Sequence, residues 1–103
     1  MRQFEVFPNP DKNTEEVIPY VVVLRHDRFA DIPLVLIAPL IDFRERRPYP
    51  ELCPVVTIAG RVCFVAITDM ASISPRHLGR PVAFIQAEHE RILRALDLLI
   101  CGF

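Results

Sequence analysis

The side chains in this chain of 103 residues that could do covalent or metal chemistry are three histidines, three cysteines and a few charged clusters. Zinc sites need His and Cys at short, fixed spacings, and hydrolytic zinc helices need a His-Glu-x-x-His run. His26, His77 and His89 are scattered, and Cys53, Cys63 and Cys101 form no Cys-x-x-Cys pair, so no metal is expected. The chain has only 3 glycines, none in a phosphate-cradling pattern, so no nucleotide cofactor is expected either. Arg25-His26-Asp27-Arg28 has the residue types for acid-base work on a phosphate, because His titrates near neutrality and Arg holds anions. It reads better as a solvated loop with local ion pairs. Arg44-Glu45-Arg46-Arg47 invites a nucleic-acid reading, but its embedded glutamate, its prolines and the balanced overall charge make it another solvated loop. Thr68-Asp69-Met70-Ala71-Ser72 is read as a turn held by hydrogen bonds from Asp and Ser to neighbouring backbone. No catalytic residue is assigned, and the chain is read as a non-enzyme.

What remains is the tip, Cys101-Gly102-Phe103, which follows directly on a strongly apolar helical segment. An aromatic ring and a carboxylate are thereby carried at the end of a rigid rod. Chain ends are poorly ordered unless something ties them down. The tip is therefore either packed into the protein's own core or offered to a partner, and the second is expected. Phe103 sealed inside its own subunit is the finding that would remove this reading.

Size and composition bound the rest. The chain is one domain, 1–103, by length. It is 51% hydrophobic with 12 basic and 13 acidic residues, so no global field draws it to nucleic acid or an anionic membrane. So much apolar surface in a small domain is more than one core easily hides, and a homodimer is expected. Met1-Arg2-Gln3-Phe4-Glu5 lacks the apolar stretch of a secretion signal. The apolar runs Ile32 to Ile41 and Val62 to Ile67 are too short to cross a membrane. Three cysteines without pairing fit a reducing cytoplasm, with Cys53 and Cys63 as small buried apolar residues. The expected location is cytoplasmic.

The elements that must position the tip follow from periodicity. Gln3 to Phe7 alternates as a half-buried strand and ends at the prolines of Pro8 to Asn13. Val17 to Leu24 is β-branched and aromatic, with Pro19 implying an edge position or a bulge near its start. Pro33 to Ile41 is apolar throughout, as in a strand covered on both faces, and a charged loop runs from Asp42 to Pro50. Pro54 to Ile58 and Arg61 to Ile67, joined by Ala59-Gly60, form a hairpin. Its second arm is apolar on both faces, so the fold's core should cover one side and a helix or second subunit the other. Ser74 to Gly79 reads as a one-turn helix with Ser at the N-cap and Pro at its first position. Pro81 to Ile85 is a short extended piece. From Ala87 the period is helical, with Ile92, Leu93, Leu96, Leu99 and Ile100 on one face, a Glu90–Arg94 pair, and Gly102 as terminator. The fold class is mainly β (α+β).

The stretch from Leu52 to Phe103 resembles the CcdB family, the gyrase-poisoning toxins of toxin–antitoxin modules. The likeness is carried by Pro54-Val55-Val56-Thr57-Ile58, by Thr68-Asp69-Met70-Ala71-Ser72-Ile73 placed just after the hairpin, by Leu78-Gly79 and by the helix ending at Gly102. Weaker likeness in Gln3 to Phe7, Tyr20 to Leu24 and Pro39-Leu40 extends it over the whole chain, with a short insertion before Val17 and a short deletion near Arg44. The resemblance implies an SH3-like barrel of antiparallel strands with a small wing sheet, one C-terminal α-helix and a homodimer. It also implies a CcdA-like antitoxin whose flexible tail wraps the toxin, co-repression of the operon with operator DNA touched only through the antitoxin, and a role in plasmid maintenance. The implied target is the A subunit of DNA gyrase, trapped on cleaved DNA without catalysis by the toxin.

The family contacts gyrase through a terminal Trp-Gly-Ile, the loop after the second strand and the late helix. By position these fall on Cys101, Gly102 and Phe103, on Arg28 and Phe29, and on Asp97; only the glycine is kept. Trp is a typical interface anchor, and its loss costs about 2–4 kcal/mol, roughly thirty- to a thousand-fold in affinity. Phe103, larger than the family's Ile, recovers part of that, while Asp97 adds a negative charge where the family has an amide. Two alternatives stay open. One is a CcdB-fold homologue that keeps its dimer and antitoxin but poisons gyrase weakly or not at all. The other is an RNA-cleaving toxin like the MazF relatives, using Arg25, His26 or Arg28 on a scissile phosphate.

Overall fold

Local signals and structure coincide best in the hairpin. In the computed structural model, which describes residues 1–103, β4 (Val55–Ile58) and β5 (Arg61–Val65) are joined by Ala59 and Gly60 alone. Both turn residues have positive φ, 50° and 82°, the two-residue turn whose twist matches that of the flanking strands. Val56 then faces Cys63, and Thr57 faces Val62. The other strands are β1 (Glu5–Pro8), β2 (Tyr20–Val23), β3 (Val35–Asp42), β6 (Ala71–Ile73) and β7 (Ala83–Phe84). All pairings are antiparallel, in the order β4-β5-β3-β2-β1-β7. The strands wrap into a nearly closed barrel with one C-terminal helix, α1 (His89–Cys101), the α+β fold expected.

The small wing is a branch of the same sheet. β3 is long enough to give its outer edge to two partners in turn: Val35, Leu36 and Ile37 pair with β6, then Leu40, Ile41 and Asp42 with β5. Strand alternation sorts the apolar residues into layers. Val6, Val22, Ala38, Leu40, Val56, Cys63 and Val65 point into the main core, where Ile92 and Ala95 of α1 close over them. Phe7, Val21, Val23, Val35 and Ile37 point the other way and are covered by Ile73 and Leu78. Cys53 and Cys63 are both buried free thiols, as expected, and burial pushes the Cys63 thiol up.

Several expectations are corrected. β2 lies between β1 and β3, and Pro19 precedes the strand instead of marking an edge or bulge. Its carbonyl, which a proline retains, accepts the Asn9 N–H at 3.0 Å. The second face of β5 needs neither helix nor second subunit: Phe64 packs with Ile41, Cys53 and Ala66, covered by Leu52 and Ile18 of the chain's own loops. Val62, nearer the turn, stays exposed. The segment Pro75–His77 is a 3-10 turn, but the Ser74 side chain makes no cap bond. The ion pair formed at the start of α1 is Arg91 with Glu88, the residue just before the helix, not Glu90 with Arg94. Asp69 of the Thr68–Ser72 stretch reaches no neighbouring backbone; it takes a two-pronged bond from Arg46 at 2.8 and 2.9 Å and the Thr68 hydroxyl at 2.7 Å. Two arginines of Arg44-Glu45-Arg46-Arg47 are therefore anchored, Arg46 there and Arg44 on Asp42.

Asp42 is the one deeply buried carboxylate, 1% exposed. Arg44 bonds it through side chain and backbone, and Arg61 donates from Nε at 2.8 Å. The Arg44 hydrogen bonds, backed by Arg61, hold this carboxyl far below the usual range. Arg61 also donates to the Glu16 carbonyl, so one buried charge fastens the end of β3, the start of β5 and the loop before β2.

Candidate functional site

Helix α1 presents two different surfaces. Ile92 and Ala95 are buried and Leu96 packs against the core, but that contact accounts for only part of the apolar stripe. Leu93 and Leu99 are about two-fifths exposed, Ile100 is 72% exposed and Phe103 is 92% exposed. The buried part of the helix face is thus narrower than the apolar stripe read from periodicity. A stripe wider than one core can cover is a sequence signal for a second contact, and here Leu93 and Ile100 lie on its outer side.

Gly102 ends the helix in the left-handed conformation, φ 81°, with its N–H donating to the Leu98 carbonyl at 2.8 Å. That conformation costs other residues energy, and it turns Phe103 off the helical path. The ring is therefore held outside the subunit's core, and Cys101 beside it is an exposed free thiol.

Asp97, exposed on the last turns of the helix, shares an open groove of about 1100 Å³ with Phe103, Leu93, Leu98 and Arg94. The opposite wall is Glu51, Cys53 and Pro54 from the segment before the hairpin, which the sequence did not mark as part of any site. Arg91 links the two walls by donating to the Val55 carbonyl at 3.0 Å. Of the six residues expected at the contact, four (Asp97, Cys101, Gly102 and Phe103) thus stand together at one end of α1.

Arg28 and Phe29 lie elsewhere, on the 3-10 turn Asp27–Phe29 after β2. Phe29 is 47% exposed, and the Arg28 guanidinium sits 5.8 Å from its ring centre. No hydrogen bond or ring contact joins this pair to the helix tip. The turn carries none of the ion pairs expected of Arg25 to Arg28. Its polar groups serve the backbone instead: His26 Nδ1 accepts the Arg28 N–H at 3.0 Å, and Asp27 Oδ1 accepts the Gln3 N–H at 2.6 Å. Arg25 donates to the carbonyls of Ile32 and Leu34. No three His, Cys, Asp or Glu side chains converge on a point that would hold a metal ion, and no helix is long and apolar enough to cross a membrane.

What the surface can do is hold another macromolecule. It combines projecting apolar side chains, an aromatic ring and a flanking carboxylate, the mixture that interface anchors and rims are made of. The family model described as CcdB protein matches residues 3–102 of the chain. No curated protein matches it.

Proposed function

This chain belongs to the CcdB family, and from that premise we propose that it is the toxin of a type II toxin–antitoxin module. Its action is to bind the A subunit of DNA gyrase and trap the complex with cleaved DNA. The observation that supports the reading is the exposure of the tip: the Phe103 ring, 92% exposed after the end of α1, is free to enter a pocket on a partner. Cys101, Gly102 and Phe103 form the central contact, Asp97 its polar flank, and Arg28 with Phe29 a second patch.

The toxin works as a homodimer. The folded chain exposes 6479 Å², against about 5,900 Å² for a compact monomer of its mass. That excess, together with exposed Leu34, Leu36, Leu93 and Leu99, supports burial against a second copy. A CcdA-like antitoxin neutralises it, and the pair represses its own operon.

The test is expression in a bacterium of the full chain and of a version lacking Cys101 to Phe103. Growth arrest with accumulation of cleaved DNA–gyrase complexes, lost on removing the tip, supports the proposal. A full-length chain that folds as a dimer and leaves growth unaffected overturns it. The Cys101 position, where the family has Trp, favours one competing outcome: a folded, antitoxin-binding dimer without gyrase poisoning.

A further inference from the structure

The Arg28–Phe29 turn is held in place by a residue that is itself outside the proposed contact. Arg25, half-buried two residues after β2, sends Nη1 to two carbonyls across the loop, Ile32 at 3.0 Å and Leu34 at 3.1 Å. Those carbonyls lie at the far end of the segment that begins with His26, so this one guanidinium closes the loop of residues 26–33 at its base. Its stem lies in an apolar hollow of about 540 Å³ with Ile32, Leu34 and Leu36. Nε is buried with no acceptor, and the side chain's hydrogen bonds within the protein are the two from Nη1 to the loop carbonyls.

Loops of this kind are ordinarily mobile. Here Asp27 fixes the loop to Gln3 at one side, His26 fixes the turn internally, and Arg25 fixes its return to β3. We infer that Arg25 is a positioning residue: it preorganises the 26–33 loop so that Phe29 and Arg28 meet a partner without first being ordered. This rests on the proposed gyrase-binding role of that patch. Ordering a loop on binding subtracts from affinity, so a loop ordered beforehand binds more tightly with no new contact.

The experiment compares the full chain with Arg25→Met, which keeps the apolar stem but removes every donor, and with Arg25→Lys, whose ammonium can reach the same carbonyls. Two quantities are read for each: hydrogen exchange at the Arg28, Phe29 and Ala30 amides, and affinity for the purified A subunit of gyrase. Arg25→Met is expected to speed exchange at those three amides, leave the Val22 and Ala38 core amides unchanged, and weaken gyrase binding about tenfold. Arg25→Lys is expected to restore most of both. Unchanged affinity in Arg25→Met despite faster loop exchange overturns the inference and leaves the gyrase reading standing. Equal exchange in both proteins also overturns it, as does an equal loss of core protection, which means that Arg25 only supports the fold. A parent chain that fails to bind gyrase at all removes both together.

Discussion

Truncating Phe103 to Ala separates binding from folding. The ring is 92% exposed, so its removal deletes almost no contact within the folded subunit. Surface substitutions of this kind change stability by no more than about 0.5 kcal/mol, which for a domain of this size is a shift of roughly 2–4 °C in melting temperature. In a complex that buries the ring, the same truncation forfeits the transfer of a phenyl side chain from water, about 1.5–3 kcal/mol. That is roughly a ten- to hundred-and-fifty-fold rise in Kd. Titration calorimetry against the A subunit of gyrase reads the second quantity and a thermal melt the first. An unchanged Kd, or a melting temperature lowered beyond about 4 °C, refutes the reasoning, since either means that the ring does not act where it is placed.

Three further outcomes follow from the same geometry. Cys101→Trp adds a large ring beside Phe103 on an exposed position and should tighten gyrase binding by about 2 kcal/mol where the family's pocket is present, measured by the same titration. Gly102→Ala meets no atom within 4 Å but must hold a φ of 81°, so a cost of about 1 kcal/mol is expected from conformation alone, read by urea unfolding. Asp42 and Asp69 are held below the ordinary carboxylate range, chiefly by hydrogen bonds from Arg44 and Arg46 respectively. Their contribution is present above the unfolded carboxyl pKa of about 3.9 and is lost as pH falls below it. The urea midpoint should therefore drop below about pH 4, and Asp42→Asn should lower it at neutral pH while flattening that acid limb.

The signals in the sequence that survive folding best are those fixed by the backbone preference of one or two residues, whereas local side-chain pairings such as the Ser74 cap and Glu90–Arg94 do not form. Ala59-Gly60 between β-branched runs specifies its own turn, and Gly102 its own helix end, because both depend on the backbone preferences of one or two residues. Charged partners are not legible in this way. Arg46 and Asp69 are 23 residues apart, and Arg61 and Asp42 are 19 apart; only the folded sheet brings them together. The cover over Phe64 reads from sequence as a helix or second subunit because a loop rich in charge and proline does not announce that Leu52 and Cys53 will fold back as a lid. Pro19 misleads for a related reason, since strand position depends on which partners arrive on either side.

The candidate site divides along the same line. Asp97, Cys101, Gly102 and Phe103 share one element, and helical spacing suffices to place them at one end of it. The far wall of their groove, Glu51 to Pro54, comes from a distant loop and leaves no mark in the periodicity. Arg28 and Phe29 are located only by resemblance, and the Arg25 clamp behind them exists only once the chain has folded.

The most direct measurement adds the purified protein to DNA gyrase, supercoiled plasmid and ATP, then counts linear DNA after detergent and protease. A gyrase-trapping toxin gives linear product that rises with protein concentration, together with gel-filtration behaviour of a dimer and no cleavage in the absence of gyrase. Plasmid left intact at protein concentrations far above that of gyrase contradicts that role.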